Sequence, residues 1–320
     1  MPVGNARRHP SLVRQRLSGP PGHDDVRNKE LSQMQKQPAT QAHLLTAGLA
    51  FGESPRWHNG RLWVCNWGTG EIIAVDADGN REIVLTVPAV LPYSIDWLPD
   101  GRLLVISGRD GLLLRQEADG RLVTHADLRS LSKSPWNEIV VDGRGNIYVN
   151  GGGPAPAPGE HFGPGTIVLV TPDGAVRQVA ENIAFANGMA VTPDNKTLIV
   201  AESHANRLTA FDIAADGTLS NRHVWADLDG YPDGICLDAD GAIWYADVPN
   251  KHCVRVSEGG EVLQTVVVDR GCFACMLGGT DRKTLFILAA EWRGFEHMVS
   301  DARTGQVLSV DAPAPGVGWP

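Results

Sequence analysis

Glu53 in GESP, Asn137 in PWNE, Asn187 in FANGMA and Asp233 in YPDGI each carry a side-chain oxygen at the same place in a repeating unit. If the repeat closes on itself, the four converge. Two carboxylates and two carboxamides then ring a central axis, an all-oxygen set of the kind a hard divalent cation prefers. The expected cofactor is one such ion, Ca²⁺ first, with Mg²⁺, Mn²⁺ or Zn²⁺ also able to occupy carboxylate–amide sites. The chain therefore reads as a metal-dependent enzyme.

What must position these residues is a strand, a tight turn and a second strand that recur along the chain, as in RWHNGRLWVCN, DWLPDGRLLVIS, VVDGRGNIYVN and CLDADGAIWYAD. Taking Leu62, Leu103, Ile147, Leu198, Ile243 and Leu285 as equivalent, successive spacings are 41, 44, 51, 45 and 42. Periods near forty with β-type signals mean propeller blades. A following strand accompanies each unit (GEIIAVDADG, GLLLRQEADG, GTIVLVTPDG, RLTAFDIAADG, CVRVSEGG, GQVLSVDA), which makes six blades. Fourth strands are predicted at 81–87, 121–128 and 175–180, and no segment shows sustained helical periodicity. Blade six runs out of chain before its fourth strand, so HLLTAG at 43–48 is expected to close the ring. The prediction is an all-β, six-bladed β-propeller over residues 43–320, preceded by an extension at 1–42 too poor in large apolar residues to pack.

Up-and-down connectivity puts the second-to-third and fourth-to-first loops of every blade at one end. Glu53, Asn137, Asn187 and Asp233 begin inner strands at that end. Two second-to-third loops longer than a hairpin needs, 150–165 and 290–305, lie at the same end, which suits binding walls. Turn formation is the simpler explanation for any one of the four residues, since Gly follows Asn187 and Asp233. Their shared register favours the cage; blades two and six carry Tyr93-Ser94 and Ala274-Cys275 there.

A net charge of −9, or −13 once the seven basic and three acidic residues of 1–40 are set aside, argues against a nucleic-acid surface. No apolar run has signal-peptide or membrane-span length, so no membrane partner is expected. Five cysteines, mostly within strand patterns, suit reduced thiols and a cytoplasmic location. Cys272-x-x-Cys275 lacks a second ligand pair for structural zinc. The two DADG runs lack the distal Glu of a calcium loop and read as hairpin turns, and Gly151-Gly152-Gly153 lacks the Gly-Lys-Ser/Thr of a phosphate loop. Neither GxSxG nor HExxH occurs. Trp57, Trp63, Trp97 and Trp244 recur at blade positions and are expected to pack between blades.

From about Glu53 to Pro320 the chain resembles the family of senescence marker protein, gluconolactonases and luciferin-regenerating enzyme. The resemblance is carried by GESPRW, NEIVVDGRGNIYV, FANGMAVTPDNKTLIVAES, RLTAFDI and PDGICLDADGAIWYADV. It implies a six-bladed propeller with one divalent metal in the central channel, held by Glu53, Asn137, Asn187 and Asp233. It also implies hydrolysis of a small-molecule lactone or ester, with Asp233 as general base. Sugar-lactonase relatives carry an Arg where this chain has Pro135, and an Asp where it has Glu138. In place of these, the mouth offers Trp67, Trp136, Phe185, Tyr231 and Trp292 beside Arg109, His161 and His204 as candidate substrate contacts, a wall suited to a less polar or aromatic substrate. Diisopropyl fluorophosphatase shares the ring and ligand set, so phosphotriester hydrolysis is one alternative. A non-catalytic propeller that binds a ligand or protein, with the metal as a plug, is another.

Overall fold

The computed structural model describes residues 41–88, 91–151, 153, 162–294, 297–298 and 302–319. Residues 1–40 of the expected extension, the centre of the 150–165 loop with His161, and parts of the 290–305 loop lie outside the described residues.

Six four-stranded antiparallel sheets follow one another along the chain. From the channel outward, blade one is Phe51–His58, Arg61–Trp67, Glu71–Val75 and Arg81–Thr86. Blade three is Trp136–Val141, Ile147–Gly151, Gly165–Val170 and Val176–Ile183, and blade four is Ala186–Val191, Thr197–Glu202, Arg207–Ile213 and Leu219–Asp227. Blade five is Pro232–Leu237, Ile243–Asp247, His252–Val256 and Val262–Val267. Blade two opens with Tyr93–Trp97 and Leu103–Ser107. Burial falls from the second strand to the fourth: every residue of Ile243–Asp247 is buried, whereas Val266 alone is buried in Val262–Val267. Second strands pack against neighbouring blades on both faces, so they read as continuous apolar runs.

Blade six takes its inner three strands, Gly271–Gly278, Thr284–Ala290 and Gly305–Asp311, from the C-terminal part of the chain and its outermost, His43–Leu49, from the N-terminal part. His43 pairs with Ser309 and Leu49 with Gly305, which is the closure expected of HLLTAG. The inner strands of consecutive blades touch right round the ring, blade six against blade one included. At that last seam Trp57 stacks on Phe286 at 5.5 Å and covers Gly278, where a Cβ would come within 2.4 Å of the indole. Trp63 meets Trp97 edge-on at 5.1 Å between blades one and two.

Hairpins at the far end from the four oxygens are pinned by Asp side chains. Asp76 Oδ1 accepts the amides of Asp78 and Asn80, and Asp238 Oδ1 those of Asp240 and Ala242, which makes both DADG runs turns. The C-terminal segment crosses this same end, Trp319 bridging to Val191 and Gly316 to Asp238. All five cysteines are free and buried. The fold brings Cys236 Sγ to 4.0 Å from Cys275 Sγ, a proximity the sequence spacing conceals.

Candidate functional site

Each of the four oxygen-bearing residues sits on an inner strand whose pairing slips at that point. Register shifts fall between Glu53 and Arg56, Trp136 and Glu138, Ala186 and Met189, and Pro232 and Ile235. A bulge bends the strand and re-aims a side chain that regular alternation would direct elsewhere. Blade two, which contributes no oxygen, pairs Tyr93–Trp97 without a shift. Blade six is bulged between Cys272 and Ala274, so Phe273 lines the cavity there, not the Ala274-Cys275 pair.

Glu53, Asn137, Asn187 and Asp233 line one cavity of about 350 Å³ at the channel mouth. Glu138, Ser203 and a wall that includes Trp67, Phe185, His204, Tyr231, Phe273 and Trp292 complete it. Among the described residues no three His, Cys, Asp or Glu side chains form a metal-holding group, so a cation site here has to draw on the two asparagines.

Beneath the four oxygens lies a buried ion pair that bridges non-adjacent blades. Arg56 of blade one reaches blade three, where Nη2 donates to Glu138 Oε1 at 2.9 Å and to the Ile139 carbonyl at 2.6 Å. Ser54 Oγ donates to the other Glu138 oxygen at 2.8 Å. Asp96 of blade two stands 3.8 Å from Arg56 Nε and accepts the Val141 amide. Arg56 thus offsets Glu138, while no Lys or Arg among the described lining residues stands beside Glu53 or Asp233. Burial pushes the Glu53 carboxyl well above its ordinary range, and the negative charges of Asp233 and Glu138 push it further. Asp233 moves the same way, through burial and then Glu138, partly opposed by a hydrogen bond from Asn187.

Side chains at the ends of second strands hold the starts of inner strands. Asn66 Oδ1 accepts the Ala50 amide, Glu202 Oε2 the Ala184 amide and Asp247 Oδ2 the Tyr231 amide. Asn150, fully buried, accepts the Glu138 amide and donates to the Asn187 carbonyl at 2.5 Å, tying two of the bulges together. Ser203 Oγ lies 3.4 Å from Asn187 Nδ2 and donates to the Pro232 carbonyl. The sequence reading missed these residues; their signal was a polar residue at the close of second strands, Asn66, Asn150, Glu202 and Asp247.

Of the candidate substrate contacts, Trp67, Phe185, Tyr231, His204 and Trp292 line the cavity. Trp136 is 1% exposed, packed among Leu98, Leu104 and Leu128. Arg109 lies outside the lining, and its Nε donates to the Leu91 carbonyl. His161 lies outside the described residues.

Fold and site together define a six-bladed β-propeller with an acidic, oxygen-lined cavity at one end of its channel. Residues 51–291 match the SMP-30/Gluconolactonase/LRE-like region, and the chain belongs to that family. It is similar to diisopropyl-fluorophosphatase of Loligo vulgaris, 28% identical over 216 residues, 60% of this chain and 68% of that protein. It is also similar to regucalcin of Xenopus laevis, 30% identical over 133 residues, 39% of this chain and 44% of that one. A luciferin-regenerating enzyme superposes with a TM-score of 0.73 at 20% identity, covering 85% of this chain and 95% of that one, a likeness of fold.

Proposed function

We propose that this chain is a divalent-metal-dependent hydrolase that opens lactones, with Glu53, Asn137, Asn187 and Asp233 as metal ligands. The carrying observation is charge balance at the cavity floor: among the described residues three carboxylates gather there, and the guanidinium beneath them, Arg56, pairs with Glu138 and stands near Asp96 but reaches neither Glu53 nor Asp233. Two buried negative charges then match one divalent cation, and their raised pKa values mark a floor that is costly without one. Ca²⁺ fits this donor set best, being tolerant of mixed carboxylate and amide oxygens. When bound, such an ion supplies Lewis-acid polarisation of the ester carbonyl and a lowered pKa for water.

The chain's own residues do the rest. Asp233 takes the proton of the attacking water at a carboxylate oxygen and returns it to the ring oxygen as the acyl–oxygen bond breaks. The product is a hydroxy acid, which releases one proton at neutral pH. Glu53 acts only as a ligand. Asn150 and Ser203 hold Asn187 and its strand in place, and the apolar wall limits access of bulk water.

The relationship to diisopropyl-fluorophosphatase supports a second reading, phosphotriester hydrolysis at the same floor. Chelated protein reconstituted with single divalent ions and assayed by proton release on γ- and δ-lactones and on organophosphates separates the two. The proposal predicts lactone opening that chelator abolishes and Ca²⁺ restores. Turnover confined to organophosphates establishes the second reading, and no turnover of either class leaves a metal-plugged binding protein.

A further inference from the structure

We infer that the cavity selects a neutral, apolar lactone with a fused or attached aromatic ring, not a polyhydroxylated or anionic sugar lactone. The inference rests on the lactonase reading and specifies its substrate class. In a six-bladed ring, blades six and one lie opposite blades three and four. On the first side Trp67, Phe273 and Trp292 line the cavity, Phe273 to Trp292 at 5.8 Å, with buried Phe51 behind them, 4.4 Å from Phe273 and stacked on Trp67. Opposite, Phe185 and His204 line the cavity, stacked at 4.5 Å, and Phe162, outside the lining, meets Phe185 edge-on at 5.1 Å. Phe185 is held at a positive φ of 58°, a conformation uncommon for a bulky residue and found where a site fixes it. The floor between these faces is the four-oxygen set.

Two of the polar groups near the floor are already committed. Glu138 is engaged by Ser54 and Arg56, and the Ser203 hydroxyl donates to the Pro232 carbonyl. Aromatic rings make up most of the remaining wall, so a substrate carrying several hydroxyls would bury some of them there, at a cost that grows with each group left unpaired. No Lys or Arg is among the described lining residues, so a sulfonate, phosphate or carboxylate substituent would be buried against the aromatic wall with no basic side chain to pair with it. A flat, neutral ring gains burial and offset stacking on both sides and loses nothing. At about 350 Å³ the cavity is near the small end of ligand clefts, which favours a bicyclic molecule over an extended one.

The test compares dihydrocoumarin with glucono-δ-lactone, both six-membered lactones, on the full Ca²⁺-loaded chain by proton release. Tryptophan fluorescence quenching by the corresponding non-hydrolysable lactams gives binding without turnover. The inference predicts kcat/KM at least about tenfold higher for dihydrocoumarin, and quenching by its lactam at concentrations where the sugar lactam has no effect. Trp292→Ala, at a side chain 42% exposed and therefore tolerant of truncation, should raise KM for dihydrocoumarin about fivefold, more than it raises KM for γ-butyrolactone. Equal or better turnover of glucono-δ-lactone overturns the substrate class and leaves the lactonase reading intact. Quenching by the bicyclic lactam with no turnover of any lactone overturns the lactonase reading and supports the apolar ligand class. Neither binding nor turnover of the bicyclic compounds overturns the inference outright.

Discussion

At the scale of single residues, substitution separates the roles proposed for Asp233, base and ligand, and for Glu53, ligand only. Asp233→Asn should retain Ca²⁺ with reduced affinity and lower kcat by about 10²–10⁴, the range ascribed to a positioned acid or base. The buried Arg56–Glu138 pair is a second test. Arg56→Met leaves Glu138 uncompensated and should cost about 3–5 kcal/mol in urea unfolding. The Arg56→Met, Glu138→Gln double variant should recover part of it, with a coupling of about 1–3 kcal/mol. Additive losses would mean that the two side chains act independently. The four oxygens were legible in the sequence because their positions in the repeat coincide. Arg56 with Glu138 was not: the partners are 82 residues apart and meet across the channel, between blades that are not neighbours. Trp136 illustrates another limit. Successive side chains on a strand leave on opposite sides, so the residue beside Asn137 packs into the blade interface.

At the scale of elements the bulged inner strands decide the geometry. Apolar patterning predicted the strands and their hairpins but carried no mark of the register slips, because alternation resumes on either side of each. Gly188 shows how tightly the slip is held. A Cβ there would lie 2.6 Å from both the Asp233 carbonyl and the Ile235 amide, backbone atoms that cannot turn aside. Gly188→Ala should therefore cost about 1–3 kcal/mol and weaken Ca²⁺ binding about tenfold, by denaturant unfolding and calorimetry respectively. The titrating groups on these strands set a pH dependence. In the metal-free protein burial pushes the Glu53 and Asp233 carboxyls above their ordinary range, and Asp96, pushed by burial from 3.8 to about 6 despite Arg56, moves the same way. The folded state binds more protons above the ordinary carboxylate range, so metal-free stability falls as pH rises. Between pH 5 and 8 the Tm of chelated protein should drop by about 5 °C at constant ionic strength, and the increment added by Ca²⁺ should grow over the same range. A flat profile would contradict the burial of these carboxylates.

For the whole molecule, closure of the ring was legible because blade six lacked a fourth strand and a matching segment stood near the start of the propeller. Its consequence is cooperative. Deletion through Leu49 removes the partner of Gly305–Asp311 and exposes that edge, so Tm should fall by about 10 °C or more and aggregation should follow. Closure also brings blade six against blade one, and with it Phe273 and Trp292 to the same cavity as Glu53.

The central claim is that four blades together hold one divalent cation, and calorimetric titration of Ca²⁺ into chelated protein tests it most directly. The expected result is one site per chain, weakened at least about 100-fold in Glu53→Gln while the circular dichroism spectrum is unchanged. No binding by the parent protein, or undiminished binding by the Glu53→Gln variant, would contradict it.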